Sequence, residues 1–480
     1  MSPTPKSPTP KSPTPKSPTP KSPTPLWTIA EVARALGLSG EFPPTAIDFV
    51  TQDSRLVKPG GLFVALSGTP SGGFVSSFAS ARDGWAFAAN AEAAGAVAMI
   101  VPHRIDGVSV PQLVVKDTLL DGLWALGRAA RARFKGPVIG LTGSAGKTST
   151  KELIAAYPGA YANPSSFNNF WGVPLTLCNA DPRAALWVVE MGMSEAGEIW
   201  RLSELTQPTV ALVVNVKPVH LEKLGSLEAI RKEKVSIARG LSKHGTLVLP
   251  EGLDAGDWHG TIVRFGAAAE VREISHAARG ESWDVGAEVR GKAVQFSLTP
   301  GAPHRVQNAL AALAAIDAAG LDAGKLAAEL GHVAIMSGRG LEQAAGGALL
   351  IDDSYNGNPA SMAAALESLK ARPVAGGRRI AIIGDMLELG ADAKAYHEEL
   401  VKHLSGIDGV YCVGPLMRHL FDRLPIGLGL GWHEDPATLD PQPIAALLRR
   451  GDVVVVKGSK KIFWVNKFVP RLAAALQAST

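Results

Sequence analysis

Residues 138–153 read VIGLTGSAGKTSTKEL. Residues 138–141 are a short apolar run suited to a buried strand, Gly143 and Gly146 permit tight turns, and residues 149–153 open a helix. A strand, a glycine turn and a helix start, in that order, make a phosphate cradle. Backbone N–H groups of Gly143, Ser144, Ala145, Gly146 and Ser149 converge where the helix dipole is positive. Lys147 then reaches the outer phosphates and Thr148 offers a hydroxyl to Mg²⁺. Leu141 stands where the full G-x-x-x-x-G-K-[ST] signature has its first glycine, so the motif is the shorter Gly143-x-x-Gly146-Lys147-Thr148.

A chain of 480 residues with 46% hydrophobic content has room for about three domains, each with its own core. Cys178 and Cys412 lie far apart, which gives neither a disulfide framework nor a thiolate metal site and fits a reducing cytoplasm. No apolar run is long enough to span a membrane, and no secretory signal opens the chain. The net charge of +4 is matched by Lys6, Lys11, Lys16 and Lys21 near the N-terminus; without them 44 basic residues face 44 acidic ones. Nothing in that balance favours a nucleic-acid partner.

Residues 1–25 repeat SPTP units joined by lysine, with ten prolines, and are expected to form a disordered, semi-stiff polyproline arm. Since the arm supplies neither core nor catalytic groups, a chain starting at Leu26 should keep kcat and KM; poor turnover by a folded truncation would put the arm in the mechanism. Thr28 and Glu31 form a capping box leading into a helix through Leu36. A small mixed unit follows: Asp53-Ser54-Arg55 in a polar loop, a strand at 62–66, a glycine-rich loop at 68–74, a helix near 78–83, and strands around Ala86 and at 96–101.

From Asp117 onward helix and strand patterns alternate for about 200 residues, the signature of a parallel sheet flanked by helices. Three of its strand ends carry polar candidates: Asn168-Asn169, Glu190 after the apolar residues 187–189, and His220 after 210–216. A helix at 227–241 carries Arg231, Lys232 and Lys234. Ligands of such sheets bind beyond the carboxyl ends of the strands, which brings these groups to the loop at 143–148. Past Leu330 the composition shifts. There a second α/β unit begins, with Asp353, Tyr355 and Asn356 after one strand, Gly384-Asp385 and Gly414 after two more, and Lys457-Gly458-Ser459 after another.

The segments TGSAGKTSTKE, SFNNFWGVPLTL, VVEMGMSEAGEI, HLEKLGSLEAIRKEK, DDSYNGNPASM and GDMLELG resemble those of the Mur ligases over residues 26–480. The last two point to the type that joins D-alanyl-D-alanine to a UDP-N-acetylmuramoyl-tripeptide. The resemblance implies a UDP-sugar-binding domain at 26–115, a central P-loop ATPase with a mostly parallel sheet at 116–332, and a Rossmann-like ligase domain at 333–480. It implies ATP-dependent amide formation through an acyl phosphate in peptidoglycan precursor synthesis, by a cytoplasmic monomer using two Mg²⁺ ions. In that scheme Lys147 and the loop amides hold the phosphates, Thr148 and Glu190 serve one Mg²⁺, and His220 with Lys234, as a lysine carbamate, serves the other. Asn308 lies near adenine, and Arg339 and Asp353 close on phosphate and ribose. Ser54, Arg55, Asn168, Asn169, Tyr355, Asn356, Lys457 and Ser459 contact the substrates. The chain departs from the family pattern at Arg305 and Ser194, where asparagine is usual, at Glu233, where a small residue is usual, and at residues 71–74, which lack the usual acid and histidine. Two rivals share much of this pattern: another ligase of the Mur or folylpolyglutamate synthase type, and a nucleotide-binding homologue without turnover. The Asp53-Ser54-Arg55 unit argues against folylpolyglutamate synthase, and the intact Lys147, Thr148, Glu190, His220 and Lys234 argue against the inactive homologue.

Overall fold

The computed structural model describes residues 25–74, 80, 82–219, 221–279, 282–299, 304–374 and 376–478. The repeat arm, apart from Pro25, and His220 lie outside these residues, as do 78, 79 and 81 of the helix expected at 78–83, whose described positions 80, 82 and 83 are not helical.

Three larger sheets organise the described residues, beside a two-stranded antiparallel pair of Trp27–Thr28 and Ala46–Ile47. The first is a four-stranded parallel sheet of Phe49–Thr51, Gly61–Val64, Ala96–Val101 and Gln112–Val114. Ahead of it the Thr28 side chain caps the helix Ile29–Ala35, and Glu31 returns the bond. The strand expected at Ala86 is a 3-10 turn, Gly84–Phe87, running into the helix Ala88–Ala93. The turn itself buries no residue and leaves Ala86 exposed, and the inward-facing positions are Ala88 and Ala91 on the helix that follows.

The central sheet has nine strands. Val138–Thr142 sits inside it between Val210–Val213 and Leu186–Glu190, parallel to both. All five of its residues are buried, which explains the unbroken apolar run. Thr246–Pro250 and Thr261–Phe265 extend the parallel part. Beyond them Val271–Arg279, Ser282–Val289 and Lys292–Leu298 form an antiparallel meander that the expected alternation of helix and strand did not include. Helix His304–Ala318 packs its buried alanines against helix Lys147–Ala155 and closes one face of this sheet. On the other face Phe134 stacks on Trp187 with centroids 4.1 Å apart, and Trp27 near the chain start joins the same core.

The third sheet has six strands in the order Leu341–Ala345, Ala348–Asp353, Val453–Lys457, Arg379–Gly384, Gly409–Val413 and Gly429–His433. Only its first pair is antiparallel. Its strands Ala348–Asp353 and Val453–Lys457 end on the paired Asp353 and Lys457, and Asp385, just past Arg379–Gly384, accepts from the N–H groups of Leu416 and Met417.

Candidate active site

The loop leaves Val138–Thr142 and enters helix Lys147–Ala155 through Gly146, whose φ of 75° is left-handed. A methyl group at Gly146 would also fall 2.9 Å from Asn308 Oδ1. Gly146→Ala therefore strains the backbone and displaces Asn308 together, and should raise KM for ATP about tenfold or more. An unchanged KM in steady-state kinetics would contradict a nucleotide role for the loop.

Asn215, just past the strand Val210–Val213, holds the loop from outside. Its amide accepts from Ala145 N at 2.9 Å and donates to Ala145 O at 3.0 Å. Ser144 Oγ donates to Lys217 O and accepts from Lys217 N, both at 2.9 Å. The Lys147 amine curls back to Gly143 O at 2.7 Å. Burial pushes that amine below the usual lysine range, with Glu190 opposing the shift and Arg339 adding to it.

Glu190 ends the neighbouring strand and is 1% exposed. Asn168 Nδ2 donates to its Oε1 at 2.6 Å, while Oε2 is buried without a partner. A buried carboxylate oxygen with nothing to accept from suits a bound cation, and the Thr148 hydroxyl on the adjoining loop is a second oxygen donor of the kind Mg²⁺ prefers. Asn169 turns the other way: its Oδ1 accepts the N–H of Gly172, the first residue of the helix Gly172–Asn179, at 2.9 Å.

Lys234 and Lys232 differ sharply. The Lys234 residue is 1% exposed, whereas 72% of the Lys232 side chain is open to solvent beside Glu228. Burial first, then the charge of Lys147, holds the Lys234 amine well below the ordinary lysine range, Glu233 and Glu198 opposing. Glu233 has its own task. Its oxygens accept from Gly197 N at 2.8 Å and Ile199 N at 2.9 Å, capping helix Glu198–Thr206, so the departure at this position serves an adjacent helix.

The third sheet reaches over the loop. Arg339 Nη2 donates to Thr148 Oγ1 at 2.9 Å, and its guanidinium lies 4.1 Å from the Tyr355 ring centroid. Tyr355 donates its hydroxyl to Ser166 Oγ at 3.1 Å. Ser166 follows Ser165, whose φ is 51°, and Lys151 fixes that turn by donating to Asn163 O at 2.6 Å and Ser165 O at 2.8 Å. Ser166, Asn215 and Lys151 were not singled out in the sequence. Lys151 stands one helical turn after Lys147, and that spacing was the available signal.

The other expected residues fall at several distances from this centre. Lys457 is 3% exposed and pairs with Asp353 at 2.7 Å. Ser459 braces two loops, accepting from Leu387 N at 2.8 Å. Asn356 is exposed beside them. Asn308 is 3% exposed with Nδ2 unpaired, and the neighbouring Arg305 leaves Nε and Nη2 unpaired as well. Ser54 and Arg55 line a separate open cavity of 1420 Å³ in the N-terminal unit, which continues to Ser71, Phe170 and Trp171. There Arg55 is forked onto Asp53.

A phosphate loop at the carboxyl edge of a parallel sheet, a buried carboxylate beside it and an arginine closing from a second α/β sheet define a nucleotide-dependent enzyme of several domains. The Mur ligase middle domain matches residues 141–316, and the Mur ligase, glutamate ligase domain matches residues 340–460. The UDP-N-acetylmuramoyl-tripeptide–D-alanyl-D-alanine ligase of Escherichia coli (strain K12) is 34% identical over 447 residues, covering 88% of this chain and 94% of that protein. Two solved structures agree. The Acinetobacter baumannii UDP-N-acetylmuramoylalanyl-D-glutamyl-2,6-diaminopimelate–D-alanyl-D-alanyl ligase has a TM-score of 0.77 at 27% identity, over 94% of this chain and 99% of that one. The Thermotoga maritima MurF ligase in complex with ADP has a TM-score of 0.74 at 25% identity, over 90% and 98%. The chain belongs to the Mur ligase family, in its D-alanyl-D-alanine-adding branch.

Proposed function

We propose that this chain is an ATP-dependent amide ligase that adds D-alanyl-D-alanine to a UDP-N-acetylmuramoyl-tripeptide, releasing ADP and phosphate, in peptidoglycan precursor synthesis. The observation that carries it is the convergence of Lys147, Thr148, Glu190 and Arg339 on one loop, in a chain 34% identical to such a ligase. We divide the chain at about residues 115 and 332, after the arm at 1–25, into sugar-nucleotide, ATPase and closing units. No described helix is long and apolar enough to cross a membrane.

A carboxylate is a poor acyl donor until a phosphoryl group converts one oxygen into a leaving group. In this site the terminal carboxylate of the tripeptide attacks the γ-phosphorus, the bond to ADP breaks, and an acyl phosphate results. The dipeptide amine then adds to the carbonyl, loses a proton, and phosphate departs. Negative charge gathers on oxygen at both stages, so positioned cations lower both barriers. Lys147 and the loop amides hold the β- and γ-phosphates, and Arg339 moves from the Thr148 hydroxyl to the transferring phosphate. Thr148 and Glu190 would hold one Mg²⁺, which when bound neutralises phosphate charge. Asn308 contacts the adenine, and Asp353, held by Lys457, the ribose.

Lys234 fits the second cation site through its burial. A neutral amine can add CO₂, forming an N–C bond and losing a proton, and the resulting carbamate supplies the oxygen anion that an ammonium cannot. His220 is assigned beside it from the sequence alone.

The test is ADP release by the purified chain across a panel of UDP-muramoyl peptides and amine acceptors. ADP formed only when the tripeptide and D-alanyl-D-alanine are both present supports the reading. ADP release indifferent to either substrate overturns it.

A further inference from the structure

At the central-unit end of the N-terminal cavity, residues 71–74 turn back against the ATPase unit. Phe74 is 4% exposed, stacked on Phe170 at 5.0 Å and tilted against Trp124 at 5.3 Å. Arg201, from helix Glu198–Thr206, lays its guanidinium over the Phe74 ring 3.8 Å from the centroid. One of its nitrogens is 3.4 Å from the point where a side chain at Gly72 would begin. Among the described residues no carboxylate pairs with Arg201 and no carbonyl accepts from it. Ser71, beside Gly72 on the cavity wall, buries its hydroxyl without a hydrogen-bond partner.

A guanidinium oriented by stacking, with its N–H groups unpaired, and an unpaired hydroxyl make a receptor for an oxygen acceptor. A carboxylate, with two oxygens and a charge, is the acceptor that suits both. Position selects which part of the substrate supplies it. The same cavity wall continues through Phe170 and Trp171, two and three residues after Asn168, the residue that holds Glu190. Substrate atoms at Ser71 and Arg201 are therefore those near the reacting carboxyl, and belong to the peptide stem.

We infer that Arg201 and Ser71 form a subsite for a second, non-reacting carboxylate on the third residue of the tripeptide, so that this chain selects a 2,6-diaminopimelate stem over a lysine stem. The inference rests on the ligase reading. Diaminopimelate has two carboxyl groups; one is activated and the other remains free to meet the guanidinium. A lysine at the same place brings a bare ammonium, which Arg201 repels.

Steady-state kinetics with UDP-muramoyl-tripeptides ending in diaminopimelate or in lysine test this on the full chain, alongside Arg201→Met and Arg201→Lys. The expected parent preference for diaminopimelate, as a ratio of kcat/KM, is roughly 10- to 100-fold, the effect of a charged hydrogen bond made or left unmade. Arg201→Met should collapse that ratio through KM for the diaminopimelate substrate, and Arg201→Lys should restore part of it. A ratio that stays the same in Arg201→Met overturns the subsite, whether both substrates hold their rates or both fall together; the latter would mean a stacking role or contact with the glutamyl carboxylate. Thermal melts of the two variants show whether either has lost its fold, and a folded Arg201→Lys without any recovered preference also counts against the subsite. If the parent ligates neither tripeptide, the ligase reading itself fails and the inference falls with it.

Discussion

Lys147→Ala is expected to lower ATP-dependent ligation by about a thousandfold or more while leaving circular dichroism and Tm close to those of the parent. Among the described residues the amine's hydrogen bond goes to the Gly143 carbonyl within its own loop, and the residue as a whole is partly open to solvent, so little packing is lost with it. What is lost is a cation placed beside Glu190 and the helix start, where the phosphoryl group passes between oxygens. Circular dichroism and ligation measured on one preparation decide the matter. A folded variant with near-parent rates would remove the phosphate loop from the mechanism.

The second large effect is expected at Lys234. Lys234→Ala should be nearly inactive, and a small carboxylate at high concentration should restore part of the rate by supplying the missing oxygens. Lys232→Ala should be mild, because that side chain stands in solvent beside Glu228. A readout independent of turnover is available: labelled bicarbonate should give a carbamate carbon resonance in the parent and in Lys232→Ala, and none in Lys234→Ala. Mutants that behave the other way round would move the carbamate to Lys232. Full activity in both would remove the second cation site.

Much of this centre could be read from the chain because its signals are local. Val138 to Leu141 are apolar on every residue since the strand is covered on both faces, and Gly146 is glycine because its φ is positive and Asn308 fills the space a side chain would need. The capping box at Thr28 was legible for the same reason, its partners being three residues apart. Features made by distant contacts were not legible. Ser166 is an ordinary serine until Arg339 and Tyr355 arrive from another sheet. Glu233 looked like a departure within a metal-binding segment, and its reason lies in the N-terminus of a helix over thirty residues earlier. The meander at 271–298 was missed because alternation of polar and apolar residues there is broken by a bulge between Glu273 and Ser275 and by exposed small residues. At Ala86 a short apolar run was ambiguous between strand and helical turn, and length could not arbitrate.

The central claim is that a carboxylate is activated by phosphoryl transfer before the amine arrives, and oxygen labelling tests it most directly. Tripeptide carrying heavy oxygen in its terminal carboxyl group is incubated with ATP, Mg²⁺, D-alanyl-D-alanine and the chain, and the released phosphate is examined by mass spectrometry. The account predicts one labelled oxygen in phosphate for each ADP and each amide formed, and none when the chain carries Lys147→Ala. Amide formation with unlabelled phosphate, or ADP release with the label retained in the peptide, would contradict it.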